Sequence, residues 1–309
     1  MRKVFGIGET ILDIIFKNNQ PYRAVPGGSV FNGIMTLGRL NVPVTFIGEL
    51  GNDKVGDIIQ GFMRDNHIKT EYVDRFPDGK SPISLAFLDD QNSANYIFYK
   101  DYPKQRLEVP LPTIEKDDIF VFGSYYCLNP ALRARVLEFI QYAKDRKAIL
   151  YYDPNFRKAH AHEAIKVMPT VLENLEYADI VRGSDEDFMN LFKESDATSV
   201  YKNRIQFYCD YLLTTHGADG VNLYTNTFSE HFDVPALDPL STIGAGDNFN
   251  AGIVYGLLKY DVRLADLPSL DRETWNKIIQ CGIDLSAEVC LSYDNYVSKE
   301  FAANYIKNA

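Results

Sequence analysis

The residues best suited to chemistry lie in STIGAGDNFNAG, Ser241 to Gly252. Gly244, Ala245 and Gly246 are small and stand just ahead of Asp247 to Tyr260, whose apolar spacing predicts a helix. Small residues let backbone N–H groups converge, and a helix start adds positive partial charge. The pair suits an anion such as a transferring phosphoryl group. An aspartate in the first turn, Asp247, is placed to take a proton from an attacking hydroxyl. It also fits a plain helix cap, and taken alone the spacing leaves both readings open.

Other segments supply further candidates. Asp13, in GETILD, follows the first apolar run, where a doubly wound sheet places ligand groups. Gly27 and Gly28 with Asn32 follow it, and a carboxylate plus a carboxamide suit adjacent hydroxyls of a polyol; a self-bonded turn is the alternative. In THGADG, Thr215, Gly217 and Gly220 follow an apolar strand and can cradle nucleotide phosphates or simply make a tight turn. Neither G-x-x-x-x-G-K-[ST] nor a post-strand G-x-G-x-x-G occurs, which disfavours a Walker NTPase and a dinucleotide dehydrogenase. Arg157, ending DPNFR, suits a phosphate or substrate oxyanion, or a surface ion pair. Asp185 to Asp187 open a helix, where acids favour the dipole anyway, and Asp187 could hold Mg2+ through water. His160 and His162 lack a third zinc ligand at suitable spacing, and no G-x-S-x-G elbow is present.

These residues need a scaffold. Candidate strands at Val4–Gly8, Val44–Gly48, Ile119–Gly123, Ala148–Tyr152, Asp179–Val181 and Tyr211–Thr215 alternate with helix-length amphipathic stretches, the pattern of a parallel sheet covered by helices. Val221–Tyr224 and Ser229–Val234 predict a late hairpin, and 245–307 is mostly helical. Two β-rich pieces depart from this alternation: about 14–25, and about 81–102, where ISLAFL and NYIFYK flank the turn DDQNSA. They are expected to pair as a small sheet acting as a lid, with an edge extension of the main sheet as the alternative. In 309 residues with a net charge of −10, nucleic acid and anionic membrane are not the expected partners. The four cysteines show no CxxC spacing, no membrane-length apolar run exists, and the start lacks a signal-peptide core. A cytoplasmic protein with reduced thiols is the expectation.

In their order and spacing these segments resemble the PfkB (ribokinase-like) carbohydrate kinase family over nearly the whole chain. GGSVFN resembles its Gly-Gly-x-x-x-Asn segment, GELGNDKVG its first signature and TIGAGDNFNAG its second. The resemblance implies an α/β fold over 1–309: a ribokinase-like three-layer sandwich with a mostly parallel sheet, the lid inserted in it, and often a homodimer made through the lid. It implies ATP with Mg2+, Asp247 as base and Gly244 to Asp247 as the γ-phosphate site. Asp13, Gly27, Gly28, Asn32, Phe98, Lys100 and Arg157 would face the sugar, and Ser184, Thr215, Gly217, Gly220 and Asn248 the nucleotide. GETILD, DPNFR and SDED are most similar to fructokinases and 2-keto-3-deoxygluconate kinases, so a ketose or keto-sugar acid is the expected acceptor. A nucleoside kinase and a non-catalytic sugar-binding regulator are the competing readings.

Three positions depart from the family. Ser241 stands where an aspartate helps bind a monovalent cation, which leaves K+ dependence open. Ser184 and Asp187 stand for Asn-x-x-Glu. Lys100 replaces an arginine and loses its planar fork.

Overall fold

The computed structural model describes residues 2–88, 94–104 and 106–308, with the side chains of 88 and 94–96 excepted, and the statements below concern these residues. The turn predicted at DDQNSA falls largely outside them.

The strands are β1 (Val4–Ile7), β2 (Ile11–Lys17), β3 (Gln20–Gly27), β4 (Val44–Gly51), β5 (Ile68–Phe76), β6 (Lys80–Leu88) and β7 (Ala94–Asp101) in the first third. There follow β8 (Ile119–Gly123), β9 (Ile149–Asp153), β10 (Ile180–Ser184), β11 (Leu212–Thr215), β12 (Val221–Tyr224) and β13 (Ser229–Phe232). The helices are α1 (Ser29–Arg39), α2 (Lys54–Asp65), α3 (Ser124–Leu128), α4 (Arg133–Asp145), α5 (Ala164–Tyr177), α6 (Asp185–Phe192), α7 (Ala197–Val200), α8 (Ala245–Lys259), α9 (Arg272–Cys290) and α10 (Lys299–Asn308).

A nine-stranded sheet runs β13-β12-β11-β10-β9-β8-β1-β4-β5, parallel except where β12 and β13 close it as the predicted hairpin. Its central strands are continuous apolar runs because both faces are covered. One core layer gathers Val4, Phe46 and Tyr151 under α1, α8 and α9; the other gathers Phe5, Phe122 and Tyr152 under α4 and α5. Three layers result, as the resemblance implied. The order reverses about β1, so the chain leaves β1, β8, β9, β10 and β11 at one edge of the sheet, where ligands of such folds bind.

β5 had no counterpart in the sequence reading. Its Ile68, Val73 and Phe76 are buried while Lys69 and Glu71 meet solvent, so it carries the mixed pattern of an edge strand rather than a continuous apolar run.

The lid is a separate four-stranded sheet, ordered β3-β2-β6-β7, which rules out the edge-extension alternative. β2 runs antiparallel to β3 and parallel to β6, and β6 antiparallel to β7. Register sets Val25, Asp13, Ser84 and Phe98 in one row across it, and paired residues share a face. Asp13 is therefore a lid residue within β2, not a group at the end of a main-sheet strand. The four cysteines are free thiols and only Cys290 is partly exposed. No described helix is long and apolar enough to cross a membrane.

Candidate active site

Gly244 turns the chain into α8 with φ 80, and a side chain there would bring Cβ within 2.7 Å of the Asn295 carbonyl oxygen. That tight entry puts Asp247 in the first turn. The Ala245 N–H is spent on the Thr242 carbonyl at 3.2 Å. The N–H groups of Gly244, Gly246 and Asp247 have no acceptor among the described residues, leaving donors at the positive end of the helix.

Asp247 is 4% exposed. Its carboxylate accepts from Asn32 Nδ2 at 2.8 Å, Ser29 Oγ at 2.9 Å and Asn155 Nδ2 at 3.4 Å. Burial pushes the carboxyl up to about 6, against the Asn32 and Ser29 bonds and the Arg157 charge, which favour ionisation. A cap would spend its oxygens on its own helix; this carboxylate is held by side chains of α1 and of the loop after β9.

Across the cleft, burial also raises Asp13 to about 6, opposed by the Ser84 hydroxyl, which donates to it, and by Arg157. Gly27 lies against Asp13 and the Asn295 carboxamide. Gly28 caps α1. Arg157 is exposed, donates to Asn155 Oδ1 at 3.2 Å, and its charge reaches both carboxylates. Phe98 is 57% exposed on the Asp13 face of the lid. Two expected sugar ligands have partners within the protein. Asn32 Nδ2 donates to Asp247 while its Oδ1 has no partner among the described residues, and the Lys100 ammonium sits on both Glu9 oxygens, at 2.8 and 2.7 Å, with the Tyr102 hydroxyl at 2.5 Å from the same carboxylate.

On the other side of α8 a cavity of about 320 Å3 is lined by Thr215, Gly217 and Gly220, by Ala245 and Gly246, and by α9. Asn248 and Ser184 do not line it. Asn248 Nδ2 donates to the carbonyls of Gly244 and Asn295, each at 2.8 Å, and so pins the loop under the helix start. Ser184 and Asp187 form a capping box: the Asp187 carboxylate accepts from Ser184 N at 2.8 Å and Ser184 Oγ at 2.7 Å, and Asp187 N donates back at 3.1 Å. Burial and then the Asp153 charge raise Asp187.

Asp187 thus does not fit a protein-built Mg2+ site, and no group of three His, Cys, Asp or Glu among the described residues could hold a metal. His160 stacks on Tyr125 at 3.9 Å instead. Ser241 Oγ accepts from Ile243 N at 3.2 Å and offers no carboxylate to a monovalent ion.

Sequence reasoning missed Ser29, Ser84, Asn155, Asp153 and Arg182. Asp153 opens the noted DPNFR, and Arg182 had one visible signal, a lone charge in the strand run IVRGS.

Residues 1–300 of the 309 match the model of the pfkB family carbohydrate kinases. It is 26% identical to the fructokinase of Vibrio alginolyticus over 84% of this chain and 85% of that one. It is 24% identical to probable fructokinase-4 of Arabidopsis thaliana over 90% and 89%. Among solved structures, fructokinase from Vibrio cholerae O395 with fructose, ADP and calcium superposes with TM-score 0.85 at 21% identity, covering 99% of each chain. Aminoimidazole riboside kinase from Salmonella enterica superposes with TM-score 0.82 at 22% identity, covering 98% and 99%. The signatures, the helix start built around a buried aspartate and these matches agree: the chain belongs to the pfkB family of carbohydrate kinases, and is a phosphotransferase acting on sugars with a ribokinase-like fold.

Proposed function

We propose that this enzyme transfers the γ-phosphoryl group of ATP to a hydroxyl of an uncharged ketose, fructose being the first candidate. Asp247 takes the hydroxyl proton, the freed oxygen bonds to γ-phosphorus, and the bond to the ADP oxygen breaks. The unspent amides of Gly246 and Asp247 lie where charge builds on the phosphoryl oxygens. Mg2+ belongs to this scheme only as a companion of the nucleotide.

The observation that carries the reading is the setting of Asp247, a buried carboxylate raised to about 6 and aimed by Asn32, Ser29 and Asn155. Such a base is ionised at neutral pH yet close enough to it to accept a proton.

The neutral acceptor follows from charge. Lys100, the lid cation that would meet a sugar acid, is already paired with Glu9. Arg157 is set against two carboxylates, Asp13 and Asp247, and Arg23 beside Asp13 is already paired with Asp294, an arrangement that disfavours a carboxylate substrate. Phe98, exposed in the same lid row as Asp13, offers an apolar face for a hydroxylated ring.

A coupled ADP-release assay across fructose, other ketoses, 2-keto-3-deoxygluconate, ribose and adenosine tests this. Fructose or another ketose should give the highest kcat/KM. Preference for 2-keto-3-deoxygluconate would overturn the charge argument, preference for adenosine would make this a nucleoside kinase, and silence across the panel would favour a non-catalytic sugar binder. The exposed Ile97 and Tyr99 on the outer lid face support a second copy of the chain docking there, which sedimentation of the protein against an Ile97→Lys variant would test.

A further inference from the structure

Arg182 is the middle residue of β10 and is 5% exposed, a rare position for a charge. Nη1 donates to Asp153 at 3.0 Å and Nη2 to Thr215 Oγ1 at 2.5 Å. Asp153 is itself held by Asn250 Nδ2 at 2.6 Å and by Asn155 N at 2.9 Å. A guanidinium has five N–H donors, so three are unspent among the described residues, and Nε is buried with no partner. A buried donor left without an acceptor is destabilising, and a bound anion would offset that cost.

The direction of those donors is set by Gly246. A Cβ there would lie 2.8 Å from Nη2 and 2.9 Å from Nη1, so the guanidinium rests directly against the start of α8. Arg182 and Thr215 both line the 320 Å3 cavity, together with Gly246. A fixed cation and the residue carrying one unspent helix amide, Gly246, therefore line one volume.

We propose that Arg182 is a phosphate-contacting residue of this kinase, binding the terminal phosphates of the nucleotide and stabilising charge on the transferring group. The inference rests on reading that cavity as the nucleotide site. Arg182 would supply, as part of the protein, positive charge that the capped Asp187 cannot supply by holding a metal.

The test is calorimetric binding of AMP, ADP and the non-hydrolysable analogue AMP-PNP, with magnesium, to the wild type and to Arg182→Met and Arg182→Lys. The wild type should bind AMP-PNP more tightly than AMP. Arg182→Met should weaken AMP-PNP and ADP by about tenfold or more while leaving AMP unchanged, with Arg182→Lys between, since it keeps charge but loses the fork. Should Arg182→Met fail to fold with Asp153 unpaired, the double variant with Asp153→Asn removes both charges and is read the same way. Equal weakening of AMP and AMP-PNP would mean a purely structural arginine and overturn the proposal, as would an unchanged gradient. A wild type with no AMP-PNP preference would instead overturn the nucleotide reading of the cavity, and this proposal with it.

Discussion

Asp247→Asn removes the proposed base without removing its shape, and it should separate activity from stability. The Asp247 carboxyl is raised from 3.8 to about 6 by burial. The folded state therefore holds the proton more tightly than the unfolded chain does, and ionising the group works against folding. Below the unfolded value the carboxyl is protonated in both states and costs nothing. As pH rises from about 4 to about 6, the wild type loses roughly 3 kcal/mol, a shift of about two pKa units at 1.36 kcal/mol each. An asparagine escapes this loss. Its Oδ1 can accept from Asn32 and its Nδ2 can donate to Ser29 Oγ, so the neighbouring groups keep partners. The 3 kcal/mol is an upper value, because those neighbours then face a weaker, uncharged partner. For a chain of this length it corresponds to roughly 4–5 °C in Tm. Thermal melts of both proteins should show a gain near pH 7 that shrinks to nothing toward pH 4. Turnover in the ADP-release assay should fall by about 10²–10⁴ with AMP-PNP affinity unchanged. A variant that keeps near-normal turnover refutes the base assignment. One that is less stable than wild type at pH 7 refutes the account of the raised carboxyl.

Three further outcomes follow from the cleft. Between pH 5 and 8, kcat/KM should rise with an apparent pKa near 6 as Asp13 and Asp247 ionise, and Ser84→Ala, which removes a bond favouring ionised Asp13, should move that rise to higher pH; a flat profile would contradict both roles. Gly244→Ala forces a side chain at φ 80 against the Asn295 carbonyl and should cost about 1–3 kcal/mol along with most of kcat, measured by melting and by steady-state kinetics. Arg23→Ala breaks the bonds from the lid to Tyr293 O at 2.5 Å and Asp294 Oδ1 at 2.8 Å; KM for the sugar should rise several-fold while AMP-PNP binding, followed by calorimetry, stays constant.

The main sheet was legible because its strands are buried on both faces, so each reads as a short apolar run such as VFGI or IFVFG between helix-length segments. β5 was not, since an edge strand with Lys69, Glu71, Asp74 and Arg75 among its residues shows no such run. Asp247, the proposed base, was legible from glycine spacing, because the tight entry into α8 requires small residues. Asn32 was found, but its bond to Asp247 was not: spacing shows that a carboxamide follows GGS, whereas the 2.8 Å contact depends on α1 packing beside α8. Lys100 likewise reads as a free cation until folding brings Glu9, distant by 91 positions in the chain, to its ammonium. Arg182 and Asp153, 29 positions apart, become a pair only because β9 and β10 are neighbours.

The two halves of the cleft are held by forces of different strength, and this bears on where specificity resides. The phosphoryl side is built from one packed unit: Asp247 and Asn250 share α8, Asn250 and Asn155 both bond Asp153, and Asp153 holds Arg182. These contacts are buried, and breaking any one leaves a buried polar group unpaired, so the unit resists rearrangement. The acceptor side is a separate sheet. Just beyond β7 the Arg106–Glu49 pair is buried, with side chains only 7% and 1% exposed, but the sheet itself is tied to its surroundings by half-exposed pairs, Lys100–Glu9 where it joins the main domain and Arg23–Asp294 at mid-strand. Such pairs contribute about 1 kcal/mol or less each, so they add little to fixing the sheet against the main domain. Residues on the lid face can then change without disturbing the transfer chemistry. That is why the glycine-rich signature points firmly to phosphoryl transfer, whereas the identity of the sugar rests on the charge balance of a few lid side chains.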